Sequence, residues 1–270
     1  MTDQSLKSEA WALSPGRFPR VGAGWLLTAG TVLFAAMWFY PIWATFARSL
    51  AGGNFLGEYY RVLTSTQLPL WYLNSVVTSA GVTAGVLFTG ATCGYALSQL
   101  QFPGRKVLWW LVLASFAVPV QALIVSHFFL MFQFGFINSW AGVILPQLIA
   151  PLAVIVYKQH FDGLPKELRE AGIMDNASEF RMLWRLFLPL SGGITAGLGI
   201  ITFIGAWNAF LWPFLVVTKE EKMNVAVAID QVPGAGNSTV VMAALPAIIV
   251  FLVFQKRIIA AITTQGSVKG

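Results

Sequence analysis

Six apolar runs, each about as long as a bilayer is thick, set the first limit on what this chain can fold into. They lie near 24–47, 71–98, 109–134, 140–158, 190–217 and 239–258. A helix rises about 1.5 Å per residue, so crossing a hydrocarbon core of about 30 Å takes roughly 20 apolar residues. Backbone polar groups find no water at that depth, so each helix must close its own hydrogen bonds. Composition agrees, with 57% hydrophobic and 10% charged residues and a mean hydropathy of +0.70. A soluble domain carries about 45–50% and about 25%. The expected fold is all-α, a polytopic membrane protein with six transmembrane helices.

The runs differ in texture. The second holds Gly81, Gly85, Gly90 and Gly94, small residues that let helices approach closely in lipid. Pro119 predicts a kink in the third, and Pro146 and Pro151 interrupt the fourth. The fifth carries Gly192, Gly193, Gly197, Gly199, Gly205 and Pro213, read as helix-packing material. Residues 1–23 form a polar tail, 24–262 the membrane domain with its core at 71–262, and 263–270 a second tail. The segments after the first span (to about 70) and at 219–238 read as loops, and GFINS at 135–139 as a tight turn. The polar start, with Pro15 and Pro19, and the length of the first run argue against a cleavable signal peptide.

Charge placement predicts orientation. Lys7, Arg17, Arg20, Arg105, Lys106, Lys158, Lys166, Arg169, Arg181, Arg185, Lys256, Arg257 and Lys269 fall on one side, thirteen residues against Arg48, Arg61, Lys219 and Lys222 on the other. The richer side, which includes both termini, is expected in the cytoplasm. The net charge of +6 is dispersed between spans rather than gathered in one patch, so it argues against a nucleic-acid partner. Cys93 stands alone, which excludes a disulfide framework and a thiolate metal site.

One interval between the spans is long, polar and charged: PKELREAGIMDNASEFRMLWRLFLP, from Pro165 to Pro189. It reads as two short helices joined by a turn. Pro165 suits a first helical position. Leu168, Ala171, Gly172 and Asp175 follow at i, i+3, i+4 and i+7, a narrow stripe with small residues at its centre. Asn176 tolerates a left-handed backbone and can close the first helix, while Ser178 can cap the second, whose apolar face is Phe180, Leu183, Trp184 and Phe187. Small residues on a short exposed helix allow close approach by another protein, so this is a docking element.

Chemistry is otherwise sparse. No Gly is followed by Lys, so there is no nucleotide-binding P-loop, and neither His-Glu-x-x-His nor Gly-x-Ser-x-Gly occurs. Every Asp and Glu lies at or outside the predicted span boundaries, whereas ion-coupled carriers usually place such groups within them. His127, a lone imidazole in the third span, reads as packing or cavity lining rather than a proton relay. Asn208, beside Trp207 in the fifth, either bonds to a neighbouring helix or lines a polar pathway. With the bend expected from Pro213, which frees the carbonyl of Ala209, this amide and indole are the candidates for a pathway wall.

At the polar interval the sequence resembles the cytoplasmic loop of bacterial ATP-binding-cassette importer permeases, within the carbohydrate-uptake branch of the maltose-transporter type, second permease subunit. Glu170 and Ala171 match the Glu-Ala-Ala pattern with Gly172 in place of the second Ala. Asp175 matches the family Asp, Asn176 stands where the family usually has Gly, and Leu188-Pro189 closes the motif. LNSVVTSAGVTAGVLFTGATCGYALSQLQFPGRK (73–106) and FIGAWNAFLWPFLV (203–216) extend the likeness, while the segment between Gly236 and Pro246 looks a few residues shorter than in relatives. The resemblance implies the type I importer permease fold, in the bacterial cytoplasmic (inner) membrane. It implies a coupling loop at 159–189 that seats in an ATPase groove through Pro165, Glu167, Leu168, Glu170, Ala171, Gly172, Met174, Asp175 and Asn176. Implied partners are a homologous permease subunit, two cytoplasmic ATP-binding-cassette subunits that hold the ATP, and an extracellular or periplasmic solute-binding protein. This chain would bind no cofactor itself, and a sugar or sugar-like solute is the implied cargo. The contrasting expectations are an ion-coupled secondary carrier or half-carrier, and a membrane scaffold without a pathway.

Overall fold

A computed structural model describes residues 24–51, 54–65, 67–232 and 236–263. The two predicted tails therefore lie outside the described residues, save the helical residue Thr263. The described residues form helices joined by short turns, with no strand among them. α1 (Gly24–Leu50), α3 (Leu68–Gln99) and α14 (Asn237–Thr263) are long, and α3 and α14 carry apolar windows partly buried by the rest of the chain. α2 (Phe55–Ser65) precedes α3. α4 (Arg105–Phe116) and α5 (Ile124–Gln133) flank a 3-10 turn, as do α6 (Trp140–Ile144) and α7 (Pro151–Asp162). α8 (Lys166–Met174) and α9 (Glu179–Met182) lie in the polar interval. A π-helical turn over Leu183–Phe187 leads into α10 (Leu188–Leu190), α11 (Gly192–Trp207), α12 (Leu211–Val216) and α13 (Val225–Gln231).

Three helices are long and apolar enough to cross a membrane alone, and three bent pairs pass the same test together, which makes six spans if each pair is one. The bends fall where backbone chemistry forces them. Pro119 separates two segments at 97° to each other, and Pro151, with Ala150 held extended before it, separates two at 48°. The fifth apolar run departs from expectation. Its helix ends at Trp207, short of Pro213, and the pair that passes as a span joins Glu179–Leu190 to Gly192–Trp207 across an 83° bend. Two predicted loops also contain helices. α2 lies in the first, and the second holds a 3-10 turn followed by α13, whose Val225, Val227 and Ala228 are buried.

α3 organises the interior. Along its length it enters one cluster with Leu68 and Trp71, a second with Val82 and Val86, and a third with Ala91 and Tyr95. Its glycines admit α6 and α7. A Cβ on Gly94 would stand 2.7 Å from Tyr157 Cβ and 3.0 Å from the Lys158 backbone nitrogen, and one on Gly90 would stand 2.8 Å from Ala153 Cβ. Thr89 secures the same seam by donating to the Leu148 carbonyl at 2.6 Å. The glycines of α11 divide: Gly197 is buried and a Cβ on Gly199 would stand 3.4 Å from Leu87 of α3, as packing positions should, whereas Gly192, Gly193 and Gly205 face open space within this chain.

Candidate functional site

The docking element forms locally and then rests on a buried aromatic base. Pro165 takes the N-cap position rather than the first helical one, with extended backbone, and α8 begins at Lys166. Asn176 has φ +51°, as its ability to adopt the left-handed region predicts. Its N–H bonds the Ile173 carbonyl and that of Ala177 bonds the Gly172 carbonyl, both at 3.0 Å, which is a Schellman closure. Ser178 then caps α9, its hydroxyl accepting from the Arg181 N–H at 3.3 Å.

The face of α8 differs from the predicted stripe. Leu168 and Gly172 turn toward the subunit, and a Cβ on Gly172 would meet Met182 Sδ at 2.7 Å, whereas Ala171 and Asp175 are exposed. The outward face is instead Glu167, Glu170, Ala171 and Met174, again at i, i+3, i+4 and i+7, with Met174 83% exposed. The second helix is rotated too. Leu183 and Phe187 are buried as expected, but Phe180 and Trp184 are exposed and Met182 takes their place inside. A π turn holds an extra residue, so the face changes register as it passes Leu183–Phe187.

Beneath this loop, Phe187 meets Tyr95 edge-on at 5.0 Å and Phe161 at 5.5 Å between ring centroids, and Phe161 stacks on Tyr157 at 5.6 Å. Polar contacts bind the loop to this base. Arg169 Nη2 of α8 pairs with Glu179 Oε1 at 2.5 Å, and Tyr95 of α3 donates its hydroxyl to Glu179 Oε2 at 2.6 Å. Nearby, Asp162 accepts from Ser98 at 2.6 Å and pairs with Lys158 at 2.5 Å, while Gln99 donates to the Phe161 carbonyl at 3.1 Å. A cavity of about 450 Å³ opens beside Arg169 and Glu179, lined also by Gln99, Leu100, Gln101 and Phe102. Glu179 escaped the sequence reading because an acidic residue in a first helical turn is ordinary, and nothing local says that it bridges two distant elements.

The other candidates lie apart from this loop. Trp207 is 4% exposed and stacks with Tyr72 and with Phe203, so its ring is enclosed within the chain. Asn208 follows the last residue of α11 rather than lying mid-helix, and its amide donates back to the Ile204 carbonyl at 2.9 Å while staying exposed. Pro213 does leave the Ala209 carbonyl without a helical donor, and Asn224 supplies one at 3.0 Å. His127 meets Trp212 edge-on, 6.0 Å between centroids. Near these residues Asn74 fixes the segment after α12. It donates to the Glu221 and Met223 carbonyls and accepts from Trp140 Nε1, at 2.8–2.9 Å.

A short helix with polar and small residues outward is thus carried on a bundle of bent apolar spans. Residues 81–263 match the family described as binding-protein-dependent transport system inner membrane component. The chain belongs to this family. The matched region runs from Gly81 of α3 to the end of α14 and so includes the whole docking loop. The permease is similar to the arabinooligosaccharides transport system permease protein AraQ of Bacillus subtilis (strain 168), 34% identical over 207 residues, 74% of this chain and 73% of that one. It is 31% identical over 221 residues to the diacetylchitobiose uptake system permease protein NgcG of Streptomyces coelicolor, 78% and 73% of the two chains. A chain from the crystal structure of a bacterial ABC transporter involved in import of the acidic polysaccharide alginate superposes with a TM-score of 0.73 at 21% identity, covering 88% of this chain and 98% of that one. That likeness shows the permease fold. The protein is thus a multi-pass membrane permease subunit of an ABC importer.

Proposed function

We propose that this chain is one of two permease subunits in an importer for oligosaccharides or similar polyhydroxylated solutes. The exposed α8 face of Glu167, Glu170, Ala171 and Met174 is the seat of a cytoplasmic ATPase subunit. ATP belongs to the ATPase partners, and a separate binding protein delivers the solute. The observation that carries this reading is the construction of α8: polar and small residues face outward, while Gly172, Arg169 and the Schellman closure hold the helix to the subunit from behind. The relatives' names, one an arabinooligosaccharide and one a diacetylchitobiose permease, support the solute class. An ion-coupled carrier is not favoured, because among the described residues the Asp and Glu side chains lie in connecting segments, short helices or helix ends.

In this reading both termini and the docking loop are cytoplasmic, and nucleotide-driven closure of the ATPases displaces α8 and shifts the spans between outward- and inward-facing states. Asn208 is assigned to the translocation pathway, with Trp207 and His127 supporting the wall behind it. Co-expression with candidate permease and ATPase subunits from the same organism is the test. An ATPase should co-purify, and uptake of arabinotriose or diacetylchitobiose into proteoliposomes should require ATP. Uptake driven by an ion gradient without ATP would overturn the proposal.

A further inference from the structure

The docking helix has two attachments, an apolar one through Met182, which lies in the same buried cluster as Ala91 and Tyr95 of α3, and a charged one. Gly172 rests against Met182, which belongs to the same loop, and that loop continues in sequence into α11. Arg169 reaches Glu179, whose other oxygen is held by Tyr95 of α3. The carboxylate is therefore divided between a cation on the docking helix and a hydroxyl on a span that is not its neighbour in sequence. Tyr95 is 3% exposed and fixed edge-on by Phe161 and Phe187, so its hydroxyl cannot follow the loop without moving α3. Charge-assisted hydrogen bonds of this kind are the stronger ones, and each oxygen here has a single short contact. The cavity lined by Gln99–Phe102, Arg169 and Glu179 leaves room in which α8 and the end of α3 could separate if the bridge were absent.

We infer that Glu179 is a positioning residue for energy coupling: by joining Arg169 to Tyr95 it makes the docking helix and the adjoining end of α3 move as one body. This deepens the proposed function and rests on it, since it supposes an ATPase on α8. The outward face of α8 is untouched by the bridge, so loss of Glu179 leaves the docking surface in place and removes the polar link from α8 to α3, leaving the apolar contact through Gly172 and Met182 to carry the connection alone.

The experiment uses the assembled complex in nanodiscs, with Cys93→Ser and spin labels at Lys166→Cys on α8 and Gln101→Cys beyond α3. Distances are measured without nucleotide and after trapping with ATP and vanadate. With Glu179 and Tyr95 present, the label separation should stay constant to within about 1 Å, because helix movements of this class run to a few ångströms and both labels share them. Glu179→Ala and Tyr95→Phe should each give the same separation as the parent without nucleotide, the same amount of co-purified ATPase, and a change of about 3 Å or more on trapping. Tyr95→Phe removes one oxygen from a buried ring, so it tests the bridge without opening the core. A separation that stays constant in both variants, or that changes equally in the parent, would overturn the inference while leaving the importer reading in place. A variant whose separation differs already without nucleotide, with no further change on trapping, would reduce Glu179 to a structural role and overturn it as well. Failure of any ATPase to co-purify with the parent would instead remove the proposed function, and the inference with it.

Discussion

At the residue scale, the docking loop separates what neighbouring sequence dictates from what packing decides. The left-handed Asn176 and the Ser178 cap were legible because each depends on a side chain acting on its own few residues of backbone. The stripe of Leu168, Ala171, Gly172 and Asp175, read as one docking face, divides in the structure, with Leu168 and Gly172 turned inward, since which side of α8 is covered depends on Met182 and Glu179, which approach from another helix. Two predictions belong here. Glu170→Lys reverses a charge on the outward face, and the permease should still insert at normal yield. Co-purification of the ATPase should fall about tenfold or more, as for loss of a charge pair at an interface, and pull-down at matched permease levels reads it. Asn176→Gly should be neutral or slightly stabilising, whereas Asn176→Val should cost about 1–2 kcal/mol, because a β-branched residue resists φ near +51°. Thermal unfolding in detergent should rank glycine at or above asparagine and valine below both.

At the scale of elements, proline and glycine placed the breaks and seams in advance, and polar side chains in the connecting segments did not announce themselves. The bends at Pro119 and before Pro151 needed only the missing N–H and the ring clash. The early end of α11 at Trp207 was not visible, because it is stabilised by Asn224 on the far side of a turn, donating to the freed Ala209 carbonyl. Nor was α13. Its seven residues are too few for a helix to stand alone, and it forms against Ser75 and α14, with Val225 N–H donating to the Ser75 hydroxyl at 2.9 Å. Gly94→Val should therefore break the seam of α3 with α7, since the new side chain meets the Lys158 backbone and not a yielding side chain. The expected readout is a marked drop in folded yield, with Gly205→Ala, which faces open space, as the unaffected comparison. Asn74→Leu should leave the Glu221 and Met223 carbonyls and the Trp140 indole N–H without their partner, at about 1–3 kcal/mol for each group that stays dry. Faster hydrogen exchange confined to 218–232 would show it, and unchanged exchange there would refute it.

At the scale of the whole molecule, the apolar runs foretold the membrane fold, and the charge bias makes a prediction of its own. Reporter fusions after Gly104 and Gly163 should report cytoplasm, and fusions after Asn54 and Lys219 the opposite side. An external signal at Gly163 would put the docking loop out of reach of any ATPase. What the sequence could not display is how the two ends of the permease are joined. α3 has 32 residues without a break, roughly 48 Å of helix, and among the described residues it alone contributes buried side chains to all three clusters. Near its start Asn74 holds the segment at 221–223, and near its finish Tyr95 holds Glu179. Gly81 and Gly85, on either side of its midpoint, pack against Ile144 and Leu148, and such a rod would pivot there as a lever. A tilt of about 5° around the midpoint carries each end roughly 2 Å, in opposite directions. A push on the loop at one membrane surface would then arrive as an equal and opposite pull on residues 221–223 at the other, with no signal relayed through the side chains between.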